Sequence, residues 1–186
     1  MYNNKKGKKM KKIFMTLAAT AVALGINAQA YVGGGLGVAN ISVDNGYTKD
    51  DATSFKFVPE VGYSFNEEWA AGVAFGWEGA TKGGMKTLSV NPYARYTFVK
   101  GNLVSVFVDG SVGYAHTYNS GADVDNISVG LKPGVAVNLG DHLSFVTHVG
   151  FIGYQHEKDN NTKMKQDGWG VDVDGRNIIF GLYYSF

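Results

Sequence analysis

Two short acidic stretches, "ADVDN" and "VDVDG", set Asp123 beside Asp125 and Asp172 beside Asp174, each pair two residues apart. Carboxylates at that spacing could hold a hard cation such as calcium. The later ligands of a calcium loop are missing, including a Glu at its twelfth position. The pairs therefore read as solvated acidic loop tops, and no metal site is assigned. His142 and Ser144 also lie two apart, on one side of an extended segment, where a base could face a nucleophile. No acid joins them by parity, so no catalytic set is assigned and the chain reads as a non-enzyme. His116 and His156 fall in polar stretches and read as solvated loop residues. The four histidines lie in unrelated segments and make no zinc constellation. The glycines of "YVGGGLGVAN" do not fit G-x-G-x-x-G, and no helical pattern follows them. Without cysteine, thiol chemistry and disulfides are excluded, and no cofactor is implied. What remains is a charge in an unexpected place: Arg95, in the middle of "VNPYARYTF" (90–98).

In that stretch Val90, Pro92, Ala94, Tyr96 and Phe98 alternate with Asn91, Tyr93, Arg95 and Thr97. Strict alternation marks a strand with different environments on its two faces. Seven further segments share the pattern, giving eight in all: 31–41, 55–65, 69–77, 87–98, 103–115, 127–139, 143–154 and 176–186. Short connections at 66–68, 99–102 and 140–142 alternate strictly with longer polar ones at 42–54, 78–86, 116–126 and 155–175. An up-and-down meander would gather the short turns on one rim and the long loops on the other. Pro59, Pro92 and Pro133 each stand six residues before the aromatic or Leu at a strand end. Because proline removes a ladder donor, bulges are expected there.

Residues 1–30 are set apart from this fold. A basic run, "KKGKKMKK", precedes the uncharged apolar segment Ile13–Ile26 and the small residues "AQA". That is the layout of a secretory signal peptide cut before Tyr31, with Met10 as an alternative start to Met1. The domain proper is then 31–186. Six lysines among residues 1–12 leave with the signal, so 11 basic and 16 acidic side chains remain, a net charge of −5. The remaining basic residues are scattered, which excludes a nucleic-acid binder. Beyond the signal no apolar run reaches the length of a helical membrane span.

Side-chain volume decides which face of the strands looks where. One face carries Trp69, Phe75, Trp77, Leu88, Tyr96, Phe98, Phe145, Phe151, Phe180 and similar residues. The other is dominated by small ones, among them Gly33, Gly35, Gly62, Gly72, Ala74, Gly76, Ser111, Gly130 and Gly134. The interior of an eight-stranded barrel is just wide enough to be filled by side chains. The bulky set would overfill it, so the apolar face points outward, to lipid. Aromatics near strand ends, such as Phe65, Trp69, Phe98, Tyr154 and Phe186, suit interfacial girdles. Arg95 then points inward. On the lipid face near mid-membrane it would cost about 2–4 kcal/mol. Inside it needs partners, and inward parity supplies Lys56, Glu60, Asp109, Lys132 and His148. Asp109, on the strand hairpinned to that of Arg95, is the first expected partner. Together these residues read as an ion-pair network filling a narrow lumen.

With the signal peptide, "PYARYTF" and "FVDGSVGYA" as consecutive strands and the ending "FGLYYSF", the chain resembles the small eight-stranded outer-membrane barrels of Gram-negative bacteria. More closely it is similar to the outer membrane protein beta-barrel domain (porin-like) family, related in fold to the outer membrane protein A barrel. The resemblance covers essentially all of 31–186. It implies an all-β, antiparallel, up-and-down transmembrane barrel in the outer membrane. Alternating Phe180, Leu182, Tyr184 and the C-terminal Phe186 resemble the signal read by the barrel-assembly machinery. Lipid and lipopolysaccharide are the implied surroundings, and no loop motif names an external ligand. The expected role is structural or surface-interacting, with four external loops; a narrow porin-like channel is the alternative.

Overall fold

Strand-forming alternation extends further than those segments. The computed structural model describes residues 29–44, 49–81, 86–118, 123–172 and 179–186. They form ten strands: β1 (Gln29–Asp44), β2 (Lys49–Ser64), β3 (Trp69–Ala80), β4 (Lys86–Lys100), β5 (Val104–Tyr118), β6 (Asp123–Asn138), β7 (Leu143–His148), β8 (Phe151–Asp159), β9 (Lys165–Asp172) and β10 (Ile179–Ser185). Every pairing is antiparallel. β1 to β6 pair in sequence, β7 pairs with β6 and β10, and β10 returns to β1. The ring closes. β8 continues the stave begun by β7, still paired with β6, and β9 pairs with β8 above β10. Eight staves therefore make the barrel, and the stave of β7 and β8 is interrupted between them.

That interruption has a readable cause. Gly134 pairs with His148, yet Leu131 pairs with Ile152, so the register slips by one residue between them. Pro133 sits at the slip and has no N–H to donate; its carbonyl accepts from Val149 N at 2.9 Å. Gly150 takes the extra residue at φ 90°, a conformation that strongly favours glycine. The bulge expected at Pro133 is therefore present, on the partner stave. Those expected at Pro59 and Pro92 are absent. There the ladder to one neighbour skips two positions without changing register, from Phe57↔Trp77 to Glu60↔Ala74 and from Val90↔Tyr114 to Tyr93↔Ser111. A missing donor can be tolerated by a gap when the other edge of the strand stays paired. A register shift in β4 occurs instead between Thr97 and Val99.

The strands also run past the expected loop boundaries. A membrane crossing takes about 9–11 tilted residues, whereas β1, β2, β4, β5 and β6 have 15 or 16. Most of the expected long loop 155–175 is the hairpin of β8 and β9, turned at Asp159, whose carboxylate accepts from Asn161 N at 2.8 Å and Thr162 N at 3.1 Å. The side-chain distribution is inverted relative to a water-soluble barrel. Phe57, Val61, Phe75, Trp77, Leu88, Tyr96, Val129, Leu131, Phe180 and Leu182 are exposed on the outside, while Glu60, Arg95, Asp109 and Ser111 are buried within. No helix among the described residues is long and apolar enough to cross a membrane; the strands do so.

Candidate functional site

The inward face is not uniformly small. Four aromatic side chains enter the lumen in its short-turn half: Tyr31, Tyr93, Phe107 and Tyr183, all buried. Each stands directly across the ladder from a glycine, in the pairs Tyr31↔Gly62, Gly72↔Tyr93, Phe107↔Gly134 and Gly33↔Tyr183. A Cβ added at any of these glycines would run into the facing ring. The glycines noticed in the sequence thus make room for rings that were not. Inward parity and the opposing glycines were the signals that could have found Tyr31, Phe107 and Tyr183.

Around Arg95 these rings build a plug. Arg95 Nε and Nη2 donate to Asp109 Oδ1 and Oδ2 at 2.7 and 2.8 Å, a two-pronged bond of the kind a planar guanidinium favours. The register sets this up, since Arg95 and Asp109 are cross-strand partners. His148 Nε2 lies 2.8 Å from Asp109 Oδ2, and Arg95 Nη2 lies 3.6 Å from Glu60 Oε1. Tyr93 donates to one Glu60 oxygen, Tyr183 donates to the other at 2.8 Å, and the Tyr31 and Tyr93 hydroxyls share a bond of 2.5 Å. The guanidinium lies over Phe107, 3.9 Å from its centroid, and His148 meets the same ring edge-on. Buried charge is tolerated because Arg95 Nε and Nη2 meet carboxylates and both Asp109 oxygens and both Glu60 oxygens have partners; removing one member would leave a buried charge uncompensated.

Of the six inward charges expected to form one network, four converge: Glu60, Arg95, Asp109 and His148. Lys56 does not join them. Its ammonium pairs with Glu78 at 3.9 Å, higher in the barrel, on a residue that the sequence reading placed in a loop. Lys132 faces Asp109 in the ladder, but both Asp109 oxygens are taken by Arg95 and His148.

Above the plug the lumen is hollow. A cavity of about 470 Å³ is lined by Lys56, Glu78, Ser89, Asn91, Ser111, Asn126, Ser128, Lys132, Gln155 and neighbours, with Tyr93, Glu60, Asp109 and His148 at its floor. Below it, a second space of about 590 Å³ opens at the short-turn rim, lined by Gln29, Asn102, Asn138, His142, Ser144 and Ser185. Here His142 Nδ1 lies 2.9 Å from the carbonyl of Ser185, and Ser144 donates to Asn138 Oδ1 at 3.0 Å. The two are thus engaged elsewhere rather than with each other.

On the outer wall two neighbouring hairpins repeat one arrangement. Tyr114 donates to Asp125 Oδ1 at 2.7 Å, and His116 Nδ1 lies 2.9 Å from the same oxygen. Tyr154 donates to Asp167 Oδ1 at 2.6 Å, and His156 Nδ1 lies 2.5 Å from it. His116 and His156 are therefore strand residues with acid partners, not loop residues, because β5 and β8 continue above the apolar band. Asn160 Nδ2 donates to both Asp123 Oδ1 and Asp125 Oδ2 at 2.8 Å. The Asn160, Tyr114 and His116 donors hold the Asp125 carboxyl well below the usual carboxylate range, and Tyr154 and His156 lower Asp167. His116, Asp123 and Asp125 bring ligand atoms within 4.8 Å of one another, but Asp123 Oδ1 and both Asp125 oxygens already have partners in Asn160, Tyr114 and His116. The Asp172 side chain and Asp174 lie outside the described residues, as do residues 1–28.

At the closing seam Phe180, Leu182, Tyr184 and Phe186 all face outward and exposed, and Phe186 N donates to the carbonyl of Ala30 at 3.0 Å. A closed antiparallel barrel, apolar outside and polar within, with aromatic rims, defines an integral outer-membrane barrel protein. The chain belongs to the family of the outer membrane protein beta-barrel domain, whose model matches residues 13–186. Among solved structures it is similar to Neisserial surface protein A, with 15% identity and a TM-score of 0.42 over 85% of this chain and 92% of that one. It is also similar to Ail of Yersinia pestis, with 17% identity and a TM-score of 0.43 over 86% and 100%. A de novo designed transmembrane barrel matches with 13% identity and a TM-score of 0.38 over 85% and 95%. No curated protein matches the chain significantly.

Proposed function

We propose that this chain is a non-enzymatic outer-membrane protein whose lumen is sealed and whose long-loop rim meets the cell's surroundings. The observation that carries the reading is the plug: a two-pronged Arg95–Asp109 pair, a doubly bonded Glu60 and four aromatic rings occupy one level of a narrow lumen. Such a barrel passes no general traffic. Its exposed apolar wall is solvated by lipid, and the polar outer rim meets lipopolysaccharide. The outward row Phe180, Leu182, Tyr184 and Phe186 serves the assembly machinery during biogenesis. Export by a signal peptide ending at residue 30 completes this reading.

A narrow channel for ions or small solutes is the second reading, favoured by open space on both sides of the plug. Conductance across planar bilayers separates the two. The sealed barrel gives insertions without discrete openings, with folding checked by heat-modifiable gel mobility. Openings whose ion selectivity changes in Arg95→Ala would overturn the sealed reading.

A further inference from the structure

Among the described residues, the carboxylates facing the lumen are nearly all hydrogen-bonded or ion-paired, and one deep cation has neither kind of direct contact. Glu60 accepts from Tyr93 and Tyr183, Asp109 holds Arg95 and His148, and Glu78 pairs with Lys56. Lys132 stands opposite Asp109 in the β5–β6 ladder, yet its ammonium forms no ion pair or hydrogen bond with any described residue. Instead it lines the 470 Å³ cavity above the plug. Ser111 lines the same cavity at 6% exposure, and its hydroxyl likewise has no partner among the described residues.

The surrounding wall fits the same kind of guest. Gly130 separates Lys132 from Ser128 along the inward face of β6, so the only side chain over that position is one from a neighbouring stave. Ser128 pairs across the ladder with Gln155, and Gly130 with Gly153. The Phe151 ring, expected on the outward face but turned inward by the one-residue slip at Gly150, covers Gly130 and offers an apolar face beside these polar groups. A cationic donor at depth, hydroxyl and amide groups above it and an aromatic face suit a small solute with an anionic end and several hydroxyls. A cup of this volume lies within the range of small-molecule sites. The remaining free acid in the lining, Glu157, pairs across the ladder with Asn126, six positions along β6 from Lys132 towards the long-loop rim. It therefore does not compete for the ammonium.

We propose that the upper lumen is a blind binding cup for a small hydroxylated carboxylate of the sugar-acid class, anchored by Lys132 and oriented by Ser111, Ser128 and Gln155. The inference rests on the sealed-barrel reading, because a cup requires a floor. The solute enters from the long-loop rim and leaves by the same path. Binding involves no bond making and no proton transfer.

Calorimetric titration of D-glucuronate into the detergent-extracted, folded protein tests this. The wild type binds saturably. Lys132→Met weakens binding by about 10- to 100-fold, as loss of a hydrogen-bonded charge implies, whereas Lys132→Arg retains it. Ser128→Leu, which fills the cup without touching the ammonium, abolishes binding. Absence of saturable binding by folded wild type, or equal affinity in Lys132→Met, overturns the cup. Bilayer conductance on the same preparation keeps the two ideas distinguishable. Discrete openings overturn the sealed barrel and, with it, the blind cup. Silent insertions without binding overturn the cup alone.

Discussion

The plug and the upper half of the lumen are lined by the same staves, yet one is packed and the other hollow. Near the short turns, Tyr31, Tyr93, Phe107, Tyr183 and Arg95 fill the interior, with Phe107 only 1% exposed. Nearer the long turns, most inward positions hold short or flexible polar side chains, among them Ser89, Ser111, Ser128, Asn126 and Gln155, and a cavity remains. The polar/apolar alternation is the same in both. What differs is side-chain length at the inward positions, together with a glycine opposite each ring. Barrel geometry therefore does not decide whether a lumen this narrow is filled. A handful of inward residue choices does.

Arg95→Leu breaks that contrast most severely. It leaves Glu60 and Asp109 buried without their cation and should cost about 3–5 kcal/mol. Gln155→Leu in the hollow half should stay within about 0.5 kcal/mol. Urea unfolding of both variants in the same lipid checks this, and equal losses would mean the plug carries no special share of stability. Gly134→Val comes next. Its side chain must displace the Phe107 ring, an overpacking cost of about 1–3 kcal/mol. Gly168→Ala, where an added Cβ meets nothing within 4 Å, should be neutral. Tyr183→Phe removes one donor from Glu60 and should cost about 1–3 kcal/mol. Thr87→Val, which loses a half-buried bond to Thr117 of 2.8 Å, should cost less, about 1 kcal/mol.

The smallest effect concerns pH at the outer rim. Asp125 has a folded pKa below its unfolded value of about 3.9. Its stabilising contribution is therefore present above that unfolded value and lost as pH falls through the lower folded one. Amide exchange around Tyr114–His116 and Asp123–Asp125 should quicken below about pH 4, while the plug level of the barrel stays protected. Uniform loss of protection across both levels would show that the rim and the plug are one cooperative unit.

Much of this architecture was legible in the sequence because alternation and volume report on a strand's two faces directly. The outward bulky set, the inward place of Arg95 and its pairing with Asp109 all follow from parity and hairpin connection. Strand ends were less legible. The polar stretches above the membrane still alternate, as Tyr114, His116 and Tyr118 do, but without an apolar face to mark them. The interruption at Gly150 depends on Pro133, a residue on another stave, so local pattern could not place it. The inward rings were hidden for a related reason: a large residue on a small-residue face looks anomalous until its cross-strand glycine is identified. The same long-range dependence separated Lys56 and Lys132 from the network, since parity gives the side of a strand but not the height at which charges meet.

The ring–glycine pairs also constrain how such an interior can change over generations. Enlarging Gly72 alone collides with Tyr93, and trimming Tyr93 alone takes one of the two hydroxyl donors from Glu60 and opens a void. Only a coupled exchange keeps the level filled. Each pair is therefore expected to change as a single heritable unit, with strong epistasis, and the plug to drift in two-residue steps across neighbouring staves rather than one position at a time.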